Sequence, residues 1–544
     1  MSVGLAADSR FLSRERTVAA PSFNRWLVPP AALAIHLCIG MAYGFSVFWL
    51  PLSRAVGITQ PIACPAEMGF LAGLTAANCD WKISQLGWMY TLFFVLLGCS
   101  AAVWGGWLER AGPRKAGLVS ALCWCGGLLI SALGVYLHQL WMLWLGSGVI
   151  GGIGLGLGYI SPVSTLIKWF PDRRGMATGM AIMGFGGGAM IGAPLADWLM
   201  RQFASPTSVG VWQTFVAMAL IYAVFMTAGA LGYRVPPEDW KPAGWTPPAT
   251  TKSAMVSSKN VDLDVATRTP QFWLIWAALC LNVSAGIGVI GMASPMLQEV
   301  FGGHLIGLDL PFGQLDAGQK AQIAAIAAGF TGLLSLCNIG GRFLWATSSD
   351  RLGRKLTFAI FFLLGMVLYA AVPTLAGLGT TLLFVLAMGV IISMYGGGFA
   401  TVPAYLADMF GTKMVGAIHG RLLTAWATAG ILGPVLVNYL REYQLAAGLP
   451  NAQAYNQTMY ILAGLLVLGL ICNLLVRPVA ARHHMTEAAA PAAARSGATG
   501  IRPTTRTAEP TTSSALVVLA WAAVGLPLAA GVLITLQKAA ILLH

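Results

Sequence analysis

The sequence predicts an all-α membrane protein: two six-helix halves plus one extra C-terminal transmembrane helix. Three observations carry that prediction. Of the 544 residues, 57% are hydrophobic and only 9% charged, with a mean hydropathy of +0.73, whereas a soluble domain carries roughly 25% charged residues. Thirteen apolar stretches can be counted, each near the about 20 residues that a spanning helix needs. A charged loop also occurs twice, about 241 residues apart. Soluble enzymes, nucleic-acid binders and disulfide-stapled secreted domains are thereby poor readings. The formal charge of +13 needs a membrane explanation.

The elements follow in order. The tail 1–26 contains Arg10, Arg14, Arg16 and Arg25 but no apolar run, so no cleavable signal peptide is expected. The first half, 27–233, holds helices near 27–52, 84–108, 116–137, 140–169, 175–200 and 208–233. A Pro-, Lys-, Thr- and Ser-rich linker, 234–270, separates it from the second half, 271–477. The helices there lie near 271–300, 321–346, 356–376, 379–407, 416–440 and 457–477. A flexible Ala, Pro, Thr and Arg linker, 478–514, leads to the extra segment 515–544, with its helix near 515–537.

Charge sets the orientation. With the N-terminus inside, six of the 32 Lys and Arg fall outside: Arg54, Lys82, Arg201, Lys320, Arg441 and Lys538. Arg342 and Arg421 fall within helices, and the rest lie inside. This positive-inside asymmetry puts the N-terminus in the cytoplasm and the C-terminus outside, and needs no nucleic acid.

The repeat explains the architecture. Glu109-Arg110-Ala111-Gly112-Pro113-Arg114-Lys115 returns as Asp350-Arg351-Leu352-Gly353-Arg354-Lys355, while Pro162, Gly175, Gly179 and Pro194 recur as Pro403, Gly416, Gly420 and Pro434. Six-helix halves in parallel repeat place a substrate site near the midplane between them. These residues resemble the signature loop of the major facilitator superfamily, with Glu109 replacing Asp, Pro113 inserted, and Ala346 replacing Gly in the second copy. The resemblance covers about 27–477 and implies that fold. It also implies a cytoplasmic gate formed by Glu109, Arg110, Arg114, Asp350, Arg351 and Arg354.

A closer resemblance lies in Gly158-Tyr159-Ile160-Ser161-Pro162 and Lys168-Trp169-Phe170-Pro171-Asp172-Arg173-Arg174-Gly175, and in Tyr395–Ala400, Pro403-Ala404 and Ala407–Gly411 of the second half. They are similar to the oxalate/formate antiporter family, which moves small carboxylates. Residues 511–544 resemble a single-helix small subunit that accompanies some of these transporters, here fused to the chain.

Arg342 is the first substrate-binding candidate. A charge inside a span usually faces the bundle interior or a wet cavity. Thr331, Ser335, Asn338 and Arg342 fall within about 60° of one another around the eighth helix, a single polar stripe. A guanidinium there suits bidentate carboxylate binding, and the resemblance implies an Arg at this place. The alternative is an Arg that snorkels to the nearby cytoplasmic end. Arg421 either meets substrate or snorkels in the same way. Oxalate-specific relatives carry a Lys farther along that helix where this chain has Trp426, so the second cation for a dianion is missing and a monocarboxylate is favoured. Tyr43, Tyr159, Tyr395 and Trp426 lie mid-span, away from the interface belts, and either wall a pocket or pack helices. His36 shares a face with Tyr43 and either carries a proton or packs as a neutral ring.

Other signals count for less. No Asp or Glu sits deep in a span, which favours exchange or facilitated movement over strict proton coupling. Gly152, Gly154, Gly156 and Gly158 lack the strand of a dinucleotide site and read as close packing or a hinge. Cys64 and Cys79 share the first external loop, where an oxidising compartment leaves them either paired or free. No cofactor, metal cluster or nucleophile–base set is expected. The chain reads as a monomeric, non-enzymatic carrier of small carboxylates in a bacterial inner membrane, of oxalate/formate exchange type. Two alternatives remain: a proton-coupled pyruvate/lactate-type carrier, and a transporter-like membrane sensor.

Overall fold

The computed structural model describes residues 12–20, 22–58, 62–65, 67–81, 83–237, 240–245, 255–257, 259–485 and 512–539. Arg10, Lys82, the middle of the 234–270 linker and most of the 478–514 linker lie outside the described residues.

Thirteen long helical segments appear where apolar runs predict them, without a strand among the described residues. The first half contains α1 (Val28–Ile39, continuing through Gly40–Phe48 to Trp49–Leu52), α2 (Ile83–Ala111) and α3 (Pro113–Tyr136). It continues with α4 (Leu140–Leu143, Trp144–Gly151 and Gly152–Trp169), α5 (Arg174–Phe203) and α6 (Val211–Gly232). The second half contains α7 (Pro270–Phe301), α8 (Ala317–Leu352), α9 (Arg354–Gly377) and α10 (Thr381–Phe410). It closes with α11 (Val415–Leu422 and Thr424–Ala446) and α12 (Asn456–Leu475), and α13 (Ser514–Ala539) follows.

Among the described residues, eleven segments are long and apolar enough to cross a membrane. The two long helices outside that set, α5 and α8, pack on each other at the seam between the halves. Lipid tails supply no hydrophobic drive for helix association, so close seams in a membrane rely on small residues. α5 and α8 meet through such residues: a Cβ at Gly175 would lie 2.1 Å from the Ala346 carbonyl oxygen, and one at Gly179 2.9 Å from that of Arg342. The expected span near 321–346 is ten residues too short at its two ends, because polar Gln319 and Gln322 and the Ser348-Ser349-Asp350 run continue the helix beyond the apolar stretch.

Two helices change winding. α1 tightens to a 3-10 helix over Gly40–Phe48, and α4 widens to a π-helix over Trp144–Gly151. Gly40 lies against α5, where a Cβ would come 2.2 Å from the Phe185 carbonyl oxygen. The alternating glycines of α4 serve two neighbours in turn: Gly152 and Gly156 press on α2, and Gly154 and Gly158 on α3. Close packing is therefore their use.

The halves are pseudo-symmetric in detail. Gly112 and Gly353 both hold φ +87° in the turns before α3 and α9, a conformation that favours glycine. The first residue of α3 is Pro113 and that of α9 is Arg354. Pro113 thus stands where the second copy has Arg354, as a replacement rather than an insertion, because glycine and helix start match at the 241 offset.

We call the face bearing the 234–270 linker the linker side and the opposite face the disulfide side. Cys64 and Cys79 are bonded there. Buried Asp80 beside them accepts hydrogen bonds from the backbone of Val56 (2.7 Å), Gly57 (3.0 Å) and Ile62 (2.8 Å). His138 stacks on Trp81 at 4.1 Å and bonds through Nε2 to the Cys79 carbonyl at 2.8 Å. Burial lowers the His138 pKa.

Candidate functional site

The central site forms where both halves contribute to one aromatic cluster. Winding α1 as a 3-10 helix brings Tyr43 to it, and the hydroxyls of Tyr43 and Tyr395 lie 3.3 Å apart across the seam. Trp426 is fully buried, with ring centroids 5.3 Å from Tyr159 and 6.3 Å from Tyr43. The structure thus brings Tyr43, Tyr159, Tyr395 and Trp426 together.

Arg342 lies beside this cluster with no exposed surface. Its Nε donates to Asn338 Oδ1 at 3.0 Å, one helical turn back, and its Nη1 to the Ile182 carbonyl of α5 at 3.1 Å. Asn338 therefore aims the guanidinium. The Phe185 and Phe399 rings flank it, with centroids 5.7 and 5.6 Å from Cζ, within the range of a cation–π contact. Arg342 Nη2 is buried with no hydrogen-bond partner, and among the described residues no carboxylate pairs with the side chain. A buried charge is strongly disfavoured unless it is paired and hydrogen-bonded. Snorkelling does not occur: the side chain is held across the seam instead.

Phe185 and Phe399 escaped the sequence reading, although signals for both existed. Phe185 is the counterpart of Trp426 at the 241 offset, and Phe399 follows Tyr395 by four residues on one helix face.

The two histidines beside the cluster differ. His36 contacts two backbone carbonyls, that of Ala181 through Nδ1 and that of Tyr159 through Nε2 (3.2 Å). His419 has neither ring nitrogen bonded. Tyr159 stands between them, with centroids 5.4 Å from His36 and 5.9 Å from His419. The Tyr159 hydroxyl and Trp426 Nε1 are likewise buried without partners. Arg342, Tyr159, His419 and Trp426 of one cluster thus hold buried polar atoms without hydrogen-bond partners.

Arg421 points elsewhere. Its Nη2 meets Asp264 at 2.8 Å and its Nη1 meets Thr267 at 2.9 Å, both on the linker segment below the bundle. It lies about 140° around the helix from Trp426, so only one of the two faces the cluster.

The repeated loops form two latches on the linker side, each reaching into the opposite half. Asp350 accepts from the backbone N–H groups of Gly175 (2.7 Å) and Met176 (3.0 Å) at the start of α5. Glu109 accepts from Gly416 N–H at the start of α11 (3.0 Å). Helix N-termini carry unbonded N–H groups and a partial positive charge, so carboxylates suit both positions. Arg354 bridges Asp350 (2.6 Å) and Asp408 (3.0 Å), and Asp408 also holds Arg174 at 2.8 Å. Glu109 takes its cation from Lys168 at 2.5 Å.

Three expected gate residues take other places. Arg110 and Arg351 are exposed, and Arg110 lines an open cleft with Asp262, Asp264 and Lys413. Arg114 donates to the Tyr233 carbonyl at the end of α6 (3.5 Å), within its own half.

Comparison with known proteins bears on the family and the fold. The family model described as Major Facilitator Superfamily matches residues 33–434. The oxalate:formate antiporter of Oxalobacter formigenes is 25% identical over 412 residues, covering 75% of this chain and 83% of that protein. Apicoplast pyruvate carrier 1 of Toxoplasma gondii is 25% identical over 456 residues, covering 71% and 78%. Among solved structures, the human organic anion transporter MFSD10 shares the fold, with a TM-score of 0.55 at 16% identity over 84% of this chain and all of the other.

Proposed function

The chain belongs to the Major Facilitator Superfamily, integral membrane transporters that bind small molecules within the bilayer, and from that premise we propose that it carries small carboxylates by alternating access. The two halves rock about the central cluster, the Arg342 guanidinium pairs with the substrate carboxylate, and the aromatic rings exclude water and set size. Glu109 and Asp350 latch the cytoplasmic side, which is the linker side. The membrane is a bacterial inner membrane, the C-terminus is external, and the transport unit is a monomer. The Cys64–Cys79 bond on the disulfide side fits an oxidising external compartment.

The observation that carries this reading is Arg342: fully buried, without a carboxylate partner among the described residues, and with Nη2 free in the aromatic cluster. Trp426, in place of a second cation, favours a monocarboxylate such as formate over a dianion. Because an unpaired Arg342 disfavours movement of the empty carrier, exchange follows.

Uptake of radiolabelled formate and oxalate into proteoliposomes, with and without internal carboxylate, tests this. Uptake confined to preloaded vesicles is expected. A hydrogen bond to a charged group is worth roughly 1.5–3 kcal/mol, so Arg342→Ala should lower transport by about tenfold or more. Full exchange by Arg342→Ala of unchanged melting temperature overturns the reading.

A second reading is favoured by His36 and His419, buried on either side of Tyr159: proton-coupled uptake of a pyruvate-type monocarboxylate. Uptake into empty vesicles that requires an inward proton gradient selects it.

A further inference from the structure

α13 occupies a groove formed by both halves. Its start is tied to the first half: Asn24 N–H donates to Thr512 Oγ1 at 3.2 Å, and Trp521 Nε1 to the Trp26 carbonyl at 3.1 Å. Midway it meets α5. A Cβ at Gly187 would lie 2.7 Å from Leu528 Cδ1, and one at Gly531 2.9 Å from Met190 Cγ. Near its end it reaches the second half, where a Cβ on Gly332 of α8 would lie 3.1 Å from Thr535 Cγ2.

Trp521, Val524, Leu528, Gly531 and Thr535 are spaced by three, four, three and four residues, the repeat of a single packing stripe. Val524 and Thr535 are buried. The rest of the helix is peripheral: 11% of its spanning window is buried, against 72% for α10. Leu519, Leu526 and Leu533 are exposed on the other face. A stripe of this kind specifies a seat, and the seat straddles the α5–α8 seam.

That seam leads directly to the central site. Three consecutive α5 residues point three ways: the Phe185 ring flanks Arg342, a Cβ at Gly186 would touch Ile339 of α8 at 3.0 Å, and Gly187 receives Leu528. Gly332 is ten residues before Arg342 on α8, about 15 Å toward the disulfide side. Opening of the seam on that side separates Gly332 from Met190, and α13 touches both.

We propose that α13 is a seam clamp: a helix held by the first half that grips α8 through Thr535 and favours the state closed on the disulfide side. The proposal rests on the rocking of halves described above. The helix is shared between the halves: α8 is its largest single partner on the second half, and α5, α1 and residues 25–27 hold it on the first, so α13 biases the equilibrium toward the closed state. Its seat on Gly187 passes any shift of α5 to the Phe185–Arg342 pair.

Distances between spin labels at Thr207→Cys and Asp309→Cys, one exposed loop position in each half on the disulfide side, read this bias without any substrate. The seven free cysteines are replaced in the background. Full-length protein is expected to show mainly the short distance. Gly332→Leu, which displaces Thr535, is expected to raise the long-distance fraction several-fold, and Leu533→Ser, on the exposed face, to leave it unchanged. A distribution unmoved by Gly332→Leu overturns the clamp, as does an equal shift from Leu533→Ser. A Gly332→Cys/Thr535→Cys cross-link in otherwise intact chain gives a second readout: it should trap the short distance. Free lengthening in the cross-linked protein also overturns the proposal. Because these are distances rather than fluxes, a wrong substrate assignment leaves them interpretable.

Discussion

The two copies of the charged loop reach the same end by different residues. Both carboxylates cap the first turn of a helix in the opposite half, and both following turns use a glycine at φ +87°. Arg114 and Lys355 also match: one donates to the Tyr233 carbonyl, the other to that of Leu474, which is its counterpart 241 residues on. The copies diverge at the position between the glycine and this pair. Arg354 neutralises Asp350 from within its own loop and recruits Asp408, whereas Pro113 cannot, so Glu109 borrows Lys168 from α4. One latch is a four-member network across the halves, the other a single pair with a hydroxyl, Ser164. A repeated function needs the carboxylate at a fixed place, while its counter-charge is free to come from any neighbour.

This difference orders the expected effects. Asp350→Asn should be the most damaging, because it leaves Arg354 and Arg174 sharing one carboxylate. Removing one partner of a buried pair costs about 3–5 kcal/mol, and a share of that here should lower exchange by about tenfold or more, measured with labelled formate in proteoliposomes. Glu109→Gln keeps an acceptor for Gly416 and should cost only a few-fold in the same assay; a loss equal to that of Asp350→Asn would erase the distinction. Lys168→Met should lower transport modestly, and adding Pro113→Arg should restore it, since an Arg there copies the spacing of Arg354 to Asp350. The smallest effect belongs to Arg421→Gln. Its pair with Asp264 is 33% and 69% exposed, and exposed pairs contribute little, so substrate affinity should stay within about twofold of the unaltered protein.

The disulfide side sharpens the contrast: among the described residues the cap around Asp80 is held by backbone hydrogen bonds rather than by a charged latch between the halves. Burial pushes the His138 pKa down, and the Cys79 carbonyl and the nearby Asp80 carboxylate offset only part of that shift. Its folded pKa lies below the ordinary 6.5, so the unfolded chain binds the proton more readily. Stability is complete above that ordinary value, declines as pH falls through it, and levels off below the folded pKa. Melting temperature measured against pH should show this decline, and His138→Gln should flatten it.

Much of the molecule was legible in one dimension. Helix positions follow from runs of apolar residues, the linker from a break in them, and the polar stripe ending at Arg342 from helical periodicity; each depends on residues near one another in sequence. The repeat extended that reach, because an offset of 241 pairs residues that never meet. It failed where symmetry was broken, at Pro113, and where it was not applied, at Phe185.

What only the tertiary structure decided concerns contact across the seam. Arg342 and Arg421 look alike as cations in apolar helices, yet one is enclosed between α5 and α8 and the other leaves the bundle for Asp264. His36 and His419 look alike as well, and only the carbonyls facing the first distinguish them. The seat of α13 required knowing that Gly187, Gly531 and Gly332 lie along one groove. Sequence determines which residues share a face of a helix. It does not determine which face meets which neighbour, because that choice is made by packing among helices whose outer surfaces are all apolar.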